Sequence, residues 1–271
     1  MTGWGDHGDT VSTDPVARAL AQQLYTDVGA FFCNTRRNAQ NVCPVCTGPA
    51  PATGLCGPCH GADETYGRNL ADLVVPLAYA KARMPSMHQS AHHVRAYKAS
   101  PPAPKCAQDL RLMAATATYV HGPCIAATTD WWHAVTFVPS AARPGGDHPV
   151  AELARAVHSV YDHATKVALH VGPGLGEAPS RAPRPDRFVV PTAYRPFITG
   201  RHVLVVDDTW VSGAKSQSAA LALKDAGAAR VTILCVTRWL RYDWSDHRQL
   251  IDTLAEPYNA MHCPVTGGSC P

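Results

Sequence analysis

The sequence lacks the long apolar runs and the charge excess that mark membrane proteins and polyanion-binding proteins. No stretch approaches the ~18–20 consecutive apolar residues that a membrane-spanning helix requires. Lys and Arg number 24 against 21 Asp and Glu, so the formal net charge is only +3. That is too small to indicate a bulk electrostatic nucleic-acid binder. The first ten residues have neither a basic start nor an apolar stretch, so we expect no secretory signal, no membrane partner and a cytoplasmic location.

The sequence has enough apolar residues for a sizeable core. It contains 271 residues, of which 46% are hydrophobic, and at roughly 100–200 residues per domain this indicates one domain with a small added module. Beyond residue 105, short runs of β-branched residues alternate with helical patterns. The strands are predicted over 133–138, 165–171, 202–206 and 230–237, and the helices over 105–120, 149–163, 214–226 and 245–255. This alternation predicts an α/β fold with a doubly wound, mostly parallel sheet.

Composition divides the chain into five segments. Asp14-Pro15 and the helical spacing that follows predict a helix over 15–32. A second helical stretch is predicted over 63–80, interrupted by Pro76. The predicted segments are an N-terminal helix (1–33), a zinc-knuckle module (34–62), a helical and basic connector (63–104), the main α/β domain (105–258) and a flexible tail (259–271).

Two Cys-x-x-Cys pairs lie in the segment that is poorest in core residues. Cys43-Pro-Val-Cys46 is followed, after nine residues, by Cys56-Gly-Pro-Cys59. Four thiolates satisfy a tetrahedral zinc ion and leave no open position, so the predicted site is structural rather than catalytic. A segment with so few large apolar side chains needs such a metal to fold. The alternative is two redox-type pairs or unrelated cysteines.

Three further potential ligands lie near the end of the chain. His262, Cys263 and Cys270 could form a second metal cluster. Only three ligands are present, however, and they contain no Cys-x-x-Cys knuckle. The sequence therefore favours a frayed tail at this position.

The most informative segment runs from Val203 to Ser216. Four apolar residues predict a buried strand, and Asp207 and Asp208 follow at its carboxyl end. A Ser-Gly turn then opens a helix whose first amides can hold an anion. Carboxylates suit sugar hydroxyls or a hydrated Mg²⁺, and ligands of open α/β sheets bind at the carboxyl ends of strands. A ribose 5-phosphate fits both halves of this segment.

Three alternatives compete with that interpretation. A Walker-B strand would need a G-x-x-x-x-G-K-[ST] loop elsewhere, which the chain lacks. A Rossmann loop at Gly172-Pro-Gly174-Leu-Gly176 has the wrong glycine spacing, and the prolines that follow forbid a helix there. The third alternative is an Asp-Asp turn that only caps a helix in an ordinary α/β protein.

The run VLVVDDTWVSGAKS resembles the phosphoribosyl pyrophosphate (PRPP) motif of type I phosphoribosyltransferases. Together with the N-terminal Cys-x-x-Cys module, the basic Tyr97-Lys98 stretch and the DDT…AGA pattern, it resembles the competence protein ComF family over roughly residues 40–240. The resemblance implies a phosphoribosyltransferase that binds PRPP and Mg²⁺ and passes phosphoribosyl to a nitrogen acceptor, with release of pyrophosphate. A homodimer is among the assemblies that we consider.

The resemblance also implies roles for individual residues. Asp207 and Asp208 would be the catalytic pair that holds the ribose 2- and 3-hydroxyls, with Mg²⁺ bridging pyrophosphate and ribose oxygens. The PRPP-binding set would comprise Asp207, Asp208, Thr209, Val211, Ser212, Gly213, Ala214, Lys215, Ser216, Pro139, Ser140 and Arg143. Residues 172–190 would form a flap, with Arg184 and Arg187 as phosphate partners.

This chain departs from the family pattern at several positions. Val211 and Lys215 each stand where the family usually has Thr, and 145–149 (GGDHP) replaces the usual run after the pyrophosphate loop. For Lys215 we favour a solvent-facing side chain, and for Trp210 packing in the core. His148 and His170 are candidate bases for the acceptor by residue type alone.

A second class of function is a non-catalytic one, in which the protein senses PRPP or associates with nucleic acid. The zinc module would then bind the partner. The contact surface would comprise Arg36, Arg37, Lys81, Arg83, Arg95, Lys98 and Lys105. The alternative is a solvated basic face, which the small net charge favours.

Overall fold

Helices and strands alternate through most of the chain in the computed structural model, which describes residues 14–52, 54–140, 148–161, 164–176 and 181–270. The α-helices are α1 (Pro15–Val28), α2 (Gly57–Tyr66), α3 (Gln89–Tyr97), α4 (Pro104–Thr129), α5 (Pro149–Ala156), α6 (Arg195–Ile198), α7 (Ala214–Asp225) and α8 (Ser245–Asp252). The strands are β1 (Cys33–Asn34), β2 (Leu73–Ala82), β3 (Ala134–Phe137), β4 (Thr165–Lys166), β5 (His170–Val171), β6 (Phe188–Val189), β7 (His202–Trp210) and β8 (Arg230–Arg241).

A mostly parallel sheet lies at the centre, with the strand order β1-β2-β8-β7-β3-β4. Only β1 runs antiparallel to its neighbour. From the central β3–β7 pair, the chain winds outward through α5 to β4 on one side and through α7 to β8 on the other. The carboxyl ends of β3 and β7 therefore form the switch point where ligands of such sheets bind. This confirms the predicted α/β fold.

Two apolar layers cover the two faces of the sheet. Along β7, Leu204 and Val206 face the layer formed by α1, α4 and α5, whereas Val203 and Val205 face the layer that contains α7. The alternation follows from the two-residue period of a strand. Because both faces are buried, the strand is a continuous apolar run, as the sequence predicted for 202–206.

The predicted helix over 63–80 is wrong along most of its length. Residues Leu73–Ala82 form β2, which pairs with β8 inside the sheet. The run is apolar almost throughout, and periodicity alone does not separate a fully buried strand from a buried helix. Pro76 lies within the strand, opposite Cys235. The connector of the sequence-based division thus supplies a strand of the main sheet, and the remaining segment boundaries stay a prediction.

Residues 259–270, for which the sequence predicted a flexible tail, pack against the body of the protein. The side chain of Asn34 donates to the carbonyl oxygen of Asn259 at 2.8 Å and accepts from its amide at 2.7 Å. Ala260 and Cys263 are buried. The segment is held because Asn34, Arg37 and Asn38 bond its backbone at Asn259, Pro264 and Thr266, and because its small side chains pack against the core.

Among the described residues, no helix combines the length and the apolar composition needed to cross a membrane.

A buried carboxylate joins α4 to α3 and α1. Asp109 accepts from Lys105 at 2.6 Å, and its other oxygen lies 3.1 Å from His93 Nε2. Lys105 also pairs with Asp27 at 2.9 Å, and Asp27 is the more exposed of the two carboxylates.

We predict that Asp109→Asn lowers the free energy of unfolding by roughly 2 kcal/mol, because it removes a charged acceptor from a buried network. The matched variant Asp27→Asn should cost less than about 1 kcal/mol, since its ion pair is more exposed. Urea titration of both variants measures this. Equal losses would contradict the assignment of the network to Asp109.

Candidate functional site

Strand β7 carries the two aspartates past the point where its pairing with β3 ends. The last β3–β7 pair is Phe137 with Val206, and the amide of Val138 then donates to the Val206 carbonyl at 3.2 Å. Pairing with β8 continues on the other side, from Asp207 opposite Cys235 to Trp210 opposite Arg238. The acidic pair is thus held on one edge by β8, and on its other edge it lies beyond the last β3–β7 pair.

Lys98 neutralises one of the two carboxylates. Its ammonium group lies 2.7 Å from Asp208 Oδ1 and donates to Thr209 Oγ1 at 3.1 Å. Burial by itself would lower the pKa of Lys98, but Asp208 and Asp207 raise it above the usual value. Lys98 therefore stays charged beside the buried Asp208. It follows directly after α3, and the sequence had flagged it only as part of a basic stretch.

Asp207 is held by two donors from its own chain segment. The hydroxyl of Ser216, in the first turn of α7, donates to Oδ2, and the amide of Asp208 donates to Oδ1 at 2.9 Å. Burial and the neighbouring Asp208 raise the pKa of Asp207 to about 6. The carboxylate oxygens are thereby fixed in direction, and burial disfavours the negative charge of Asp207.

The turn from β7 to α7 requires a glycine at one position. Gly213 has φ 79° in the left-handed region, and a Cβ there would lie 2.1 Å from the ring of Trp210. Trp210 is only 1% exposed, which confirms its packing role. Lys215 is exposed, as favoured from the sequence. The turn presents the first amides of α7 beside the carboxylates, which is a suitable arrangement for an anion.

The predicted PRPP-binding residues fall into three groups. Residues 207–216 form one continuous unit, namely the end of β7, the turn and the start of α7. Pro139 and Ser140 follow β3 at the same edge of the sheet, whereas Arg143 lies outside the described residues. Ligand binding by these residues stays a prediction.

The two candidate bases lie at the start of α5 and in β5. His148 caps the start of α5, accepting from the amide of Val150 at 3.2 Å. His170 is exposed in β5, which pairs with β6 in a separate two-stranded ribbon.

The two arginines of the predicted flap lie close to the start of α7. The backbone amide of Arg184 donates to Ser218 Oγ at 2.8 Å, and its guanidinium pairs with Asp186 at 2.8 Å. Arg187 is buried. Whether these residues contact phosphate stays a prediction, but their segment adjoins the turn in the structure.

The four cysteines of the predicted zinc module form a compact buried cluster. The sulfur atoms of Cys43, Cys46, Cys56 and Cys59 all lie within 4.8 Å of one another. The Cys46–Cys56 distance is 3.6 Å, close to the ~3.8 Å edge of a tetrahedron with Zn–S bonds of about 2.3 Å. The donor set therefore fits a structural zinc ion.

Arg238, which the sequence analysis missed, connects this cluster with the turn. It is 4% exposed, and its guanidinium donates to the carbonyls of Val211 at 3.0 Å and Trp239 at 2.7 Å. A Cβ on Gly48, two residues after Cys46, would lie 2.2 Å from Arg238 Nη2. The only signal in the sequence is a charged residue inside an otherwise apolar strand.

Several cations of the predicted nucleic-acid surface are engaged within the chain. Three of them donate to backbone carbonyls: Arg36 to Thr253, Arg37 to Pro44 and Pro264, and Lys81 to Leu254. Two form ion pairs, Lys98 with Asp208 and Lys105 with Asp27 and Asp109. Arg95 lies over the ring of Trp239. These internal bonds leave the nucleic-acid interpretation without support from the structure.

Comparison with known proteins adds little to the geometry. No protein-family model matches the sequence, and no curated protein matches it. Among solved structures, the allosteric regulatory enzyme of purine biosynthesis is 20% identical with a TM-score of 0.27, and the match covers 46% of this chain and 26% of that one. A phosphoribosyltransferase from Corynebacterium diphtheriae is 18% identical with a TM-score of 0.30, over 58% of this chain and 96% of that one. Neither likeness is strong enough to establish a function.

We predict that Asp207→Asn raises the melting temperature at pH 8 and hardly changes it at pH 4. The pKa of about 6 in the folded protein exceeds the ordinary 3.8. Ionisation of Asp207 therefore costs stability as the pH rises from about 4 to 6, and that cost persists above pH 6. Calorimetric melting at both pH values measures this difference.

Asp225→Asn is the matched control, because Asp225 is an exposed carboxylate at the far end of α7. It should show no such pH dependence. A melting temperature for Asp207→Asn that is unchanged or lower at pH 8 would show that Asp207 is not destabilised by its ionisation.

Proposed function

We propose that the protein is a ComF-like phosphoribosyltransferase that binds PRPP with Mg²⁺ and transfers phosphoribosyl to a nitrogen nucleophile, releasing pyrophosphate. One observation carries the proposal. An adjacent carboxylate pair, a left-handed glycine and the start of a helix follow one another at the switch point of a parallel sheet. This arrangement offers acceptors for vicinal hydroxyls and donors for a phosphate within one short segment.

Each half of the segment would bind a different part of the ligand. Asp207 and Asp208 would accept hydrogen bonds from the ribose 2- and 3-hydroxyls. The amides and hydroxyls from Ser212 to Ser216 would surround the 5-phosphate. This orientation of the ligand would be favoured because the two carboxylates repel the 5-phosphate, whereas the start of α7 attracts it.

Oxygen ligands from a carboxylate pair and a pyrophosphate suit Mg²⁺, which would supply charge neutralisation for the departing pyrophosphate. Lys98 is placed to act at the same end of the site. Its ammonium group lies 2.7 Å from Asp208 Oδ1. When a ribose binds to Asp208, the Lys98 ammonium is the nearby cation that would stabilise developing negative charge on the leaving group.

The rest of the chain's contribution would be positioning and exclusion of water. Bond cleavage at C1 of the ribose would build positive charge on the sugar, which the two carboxylates stabilise. The segment around Arg184 adjoins the start of α7. We infer that this segment would cover the site, so that water does not compete with the nitrogen nucleophile.

We predict that PRPP with Mg²⁺ binds to the zinc-loaded protein and that Asp207→Asn/Asp208→Asn weakens binding about 100-fold, since two charged acceptors are lost. Isothermal titration calorimetry measures the affinities. Asp225→Asn is the control, because it removes one exposed carboxylate outside the site, and it should bind like the parent. Absence of binding by a folded, zinc-loaded parent would overturn the proposal.

Turnover separates the transferase from a non-catalytic PRPP sensor. Pyrophosphate release is measured with a panel of purine, pyrimidine and amine acceptors. Acceptor-dependent release supports the transferase. Tight PRPP binding without release for any acceptor in the panel favours the sensor, because both use the same binding residues.

Arg238 should act as a positioning residue for the 5-phosphate. We predict that Arg238→Met weakens ribose 5-phosphate binding about tenfold, because the Val211 carbonyl loses its buried donor and the turn loosens. Affinity for inorganic pyrophosphate should not change. The control is Arg241→Met, three residues along β8, whose guanidinium pairs with Asp243. Equal losses for both ligands would indicate general destabilisation instead.

A further inference from the structure

We propose a second structural zinc site, formed by His121, Cys124, Cys263 and Cys270. The four donor atoms all lie within 4.8 Å of one another. His121, Cys124 and Cys263 are between 0% and 5% exposed. Two ligands come from α4 and two from the last residues of the chain. The set is three sulfurs and one nitrogen, which is a common ligand set for closed, tetrahedral zinc.

The distance between His121 Nδ1 and Cys270 Sγ requires little adjustment to accept an ion. Zn–S bonds of about 2.3 Å and Zn–N bonds of about 2.0 Å give tetrahedral edges of roughly 3.5–3.8 Å. His121 Nδ1 lies 3.1 Å from Cys270 Sγ. An ion between the four donors would push them apart by a few tenths of an ångström at this edge, which is within the reach of small side-chain rotations.

The imidazole of His121 is already oriented as a zinc ligand. Its Nε2 lies 2.9 Å from the Ala260 carbonyl oxygen. A carbonyl only accepts, so Nε2 carries a proton, and Nδ1 is the ring nitrogen that faces the three sulfurs. A hydrogen bond from the second ring nitrogen to a carbonyl is the usual outer support of a metal-bound histidine.

The turn after Cys263 repeats the backbone of the turn after Cys43. In the first, the Cys43 amide donates to Gly48 at 2.8 Å and the Thr47 amide donates to Cys43 at 2.9 Å. In the second, the Cys263 amide donates to Gly268 at 2.8 Å and the Gly267 amide donates to Cys263 at 2.9 Å. The fifth residue of each turn has positive φ, 56° in the first and 82° in the second.

The sequences of the two ligand sets correspond as well. Residues 43–48 read CPVCTG and residues 263–268 read CPVTGG, while 56–59 read CGPC and 121–124 read HGPC. Each set thus joins a Cys-Pro-Val turn to a helical segment with Gly-Pro between its ligands. In the second set Thr266 replaces the second cysteine of the turn, and Cys270 supplies the missing ligand.

Arg37 connects the two turns. It donates through Nη1 to the Pro44 carbonyl at 2.8 Å and through Nε to the Pro264 carbonyl. Four thiolates around one Zn²⁺ carry a net charge of −2, and three thiolates with one imidazole carry −1. A cation between the two sets favours both. The sequence analysis had placed Arg37 on a nucleic-acid surface, whereas the structure assigns it to the zinc turns.

The experiment is a zinc-to-protein ratio, measured by mass spectrometry of the metal after dialysis of the full chain against a weak chelator. We expect two zinc ions for the parent. Cys124→Ser and Cys270→Ser should each hold one. Cys33→Ser should keep two, because Cys33 is buried but belongs to neither cluster. One zinc in the parent, or an equal loss in Cys33→Ser, would overturn the proposal.

Two measurements remain informative where a serine variant fails to fold. X-ray absorption of the parent should give an average of 3.5 sulfur and 0.5 nitrogen ligands per zinc, from seven cysteines and one histidine over two ions. His121→Cys should keep two ions and shift the average to four sulfurs. An all-sulfur shell in the parent, or a disulfide between Cys263 and Cys270 seen in the intact mass, would overturn the second site.

Discussion

The parallel pairing of β7 with β8 is the constraint on which the rest of the site depends. β3 stops pairing at Val206, but β8 holds β7 as far as Trp210. The aspartates are therefore fixed by backbone hydrogen bonds on one edge and lie beyond the strand pairing of β3 on the other. A loop at this position would leave two adjacent carboxylates free to separate, and their mutual repulsion would favour that separation.

Cations inside the fold compensate this acidic end. Lys98 pairs with Asp208, and Arg238 reaches the carbonyls of the turn from the next strand. Both are recruited from elements distant in sequence, since α3 and β8 meet only in the folded sheet. Because Arg238 also packs against the first cysteine turn, the four-cysteine module and the turn that would hold phosphate share one contact.

Two cysteine clusters help to hold together the segments of this chain that are rich in cysteine, glycine and proline. Neither the segment around Cys43 nor the end of the chain has enough large apolar side chains to form a core of its own. Each instead brings thiols against a helical Gly-Pro segment, and Arg37 lies between the two turns. The last described residues pack onto α4 through His121, which contacts Cys270 and the Ala260 carbonyl.

The sequence by itself determined the elements whose chemistry is local. The buried strand before Asp207, the glycine turn, the start of α7 and the Cys43–Cys59 set all follow from short-range spacing, because a few adjacent residues carry each signal. The sequence pattern predicted a helix where β2 forms, because a continuous apolar run shows neither the 3.6-residue period of a helix nor the two-residue period of a strand. Only the tertiary structure decided the partners of Lys98, Arg37 and Arg238, and it placed His121 beside Cys263 in the second cluster, where the sequence had suggested His262. The pairs Lys98–Asp208, Arg37–Pro264 and His121–Cys270 are each more than a hundred positions apart, and Arg238 reaches Val211 from the neighbouring strand. No local pattern encodes which of these residues meet.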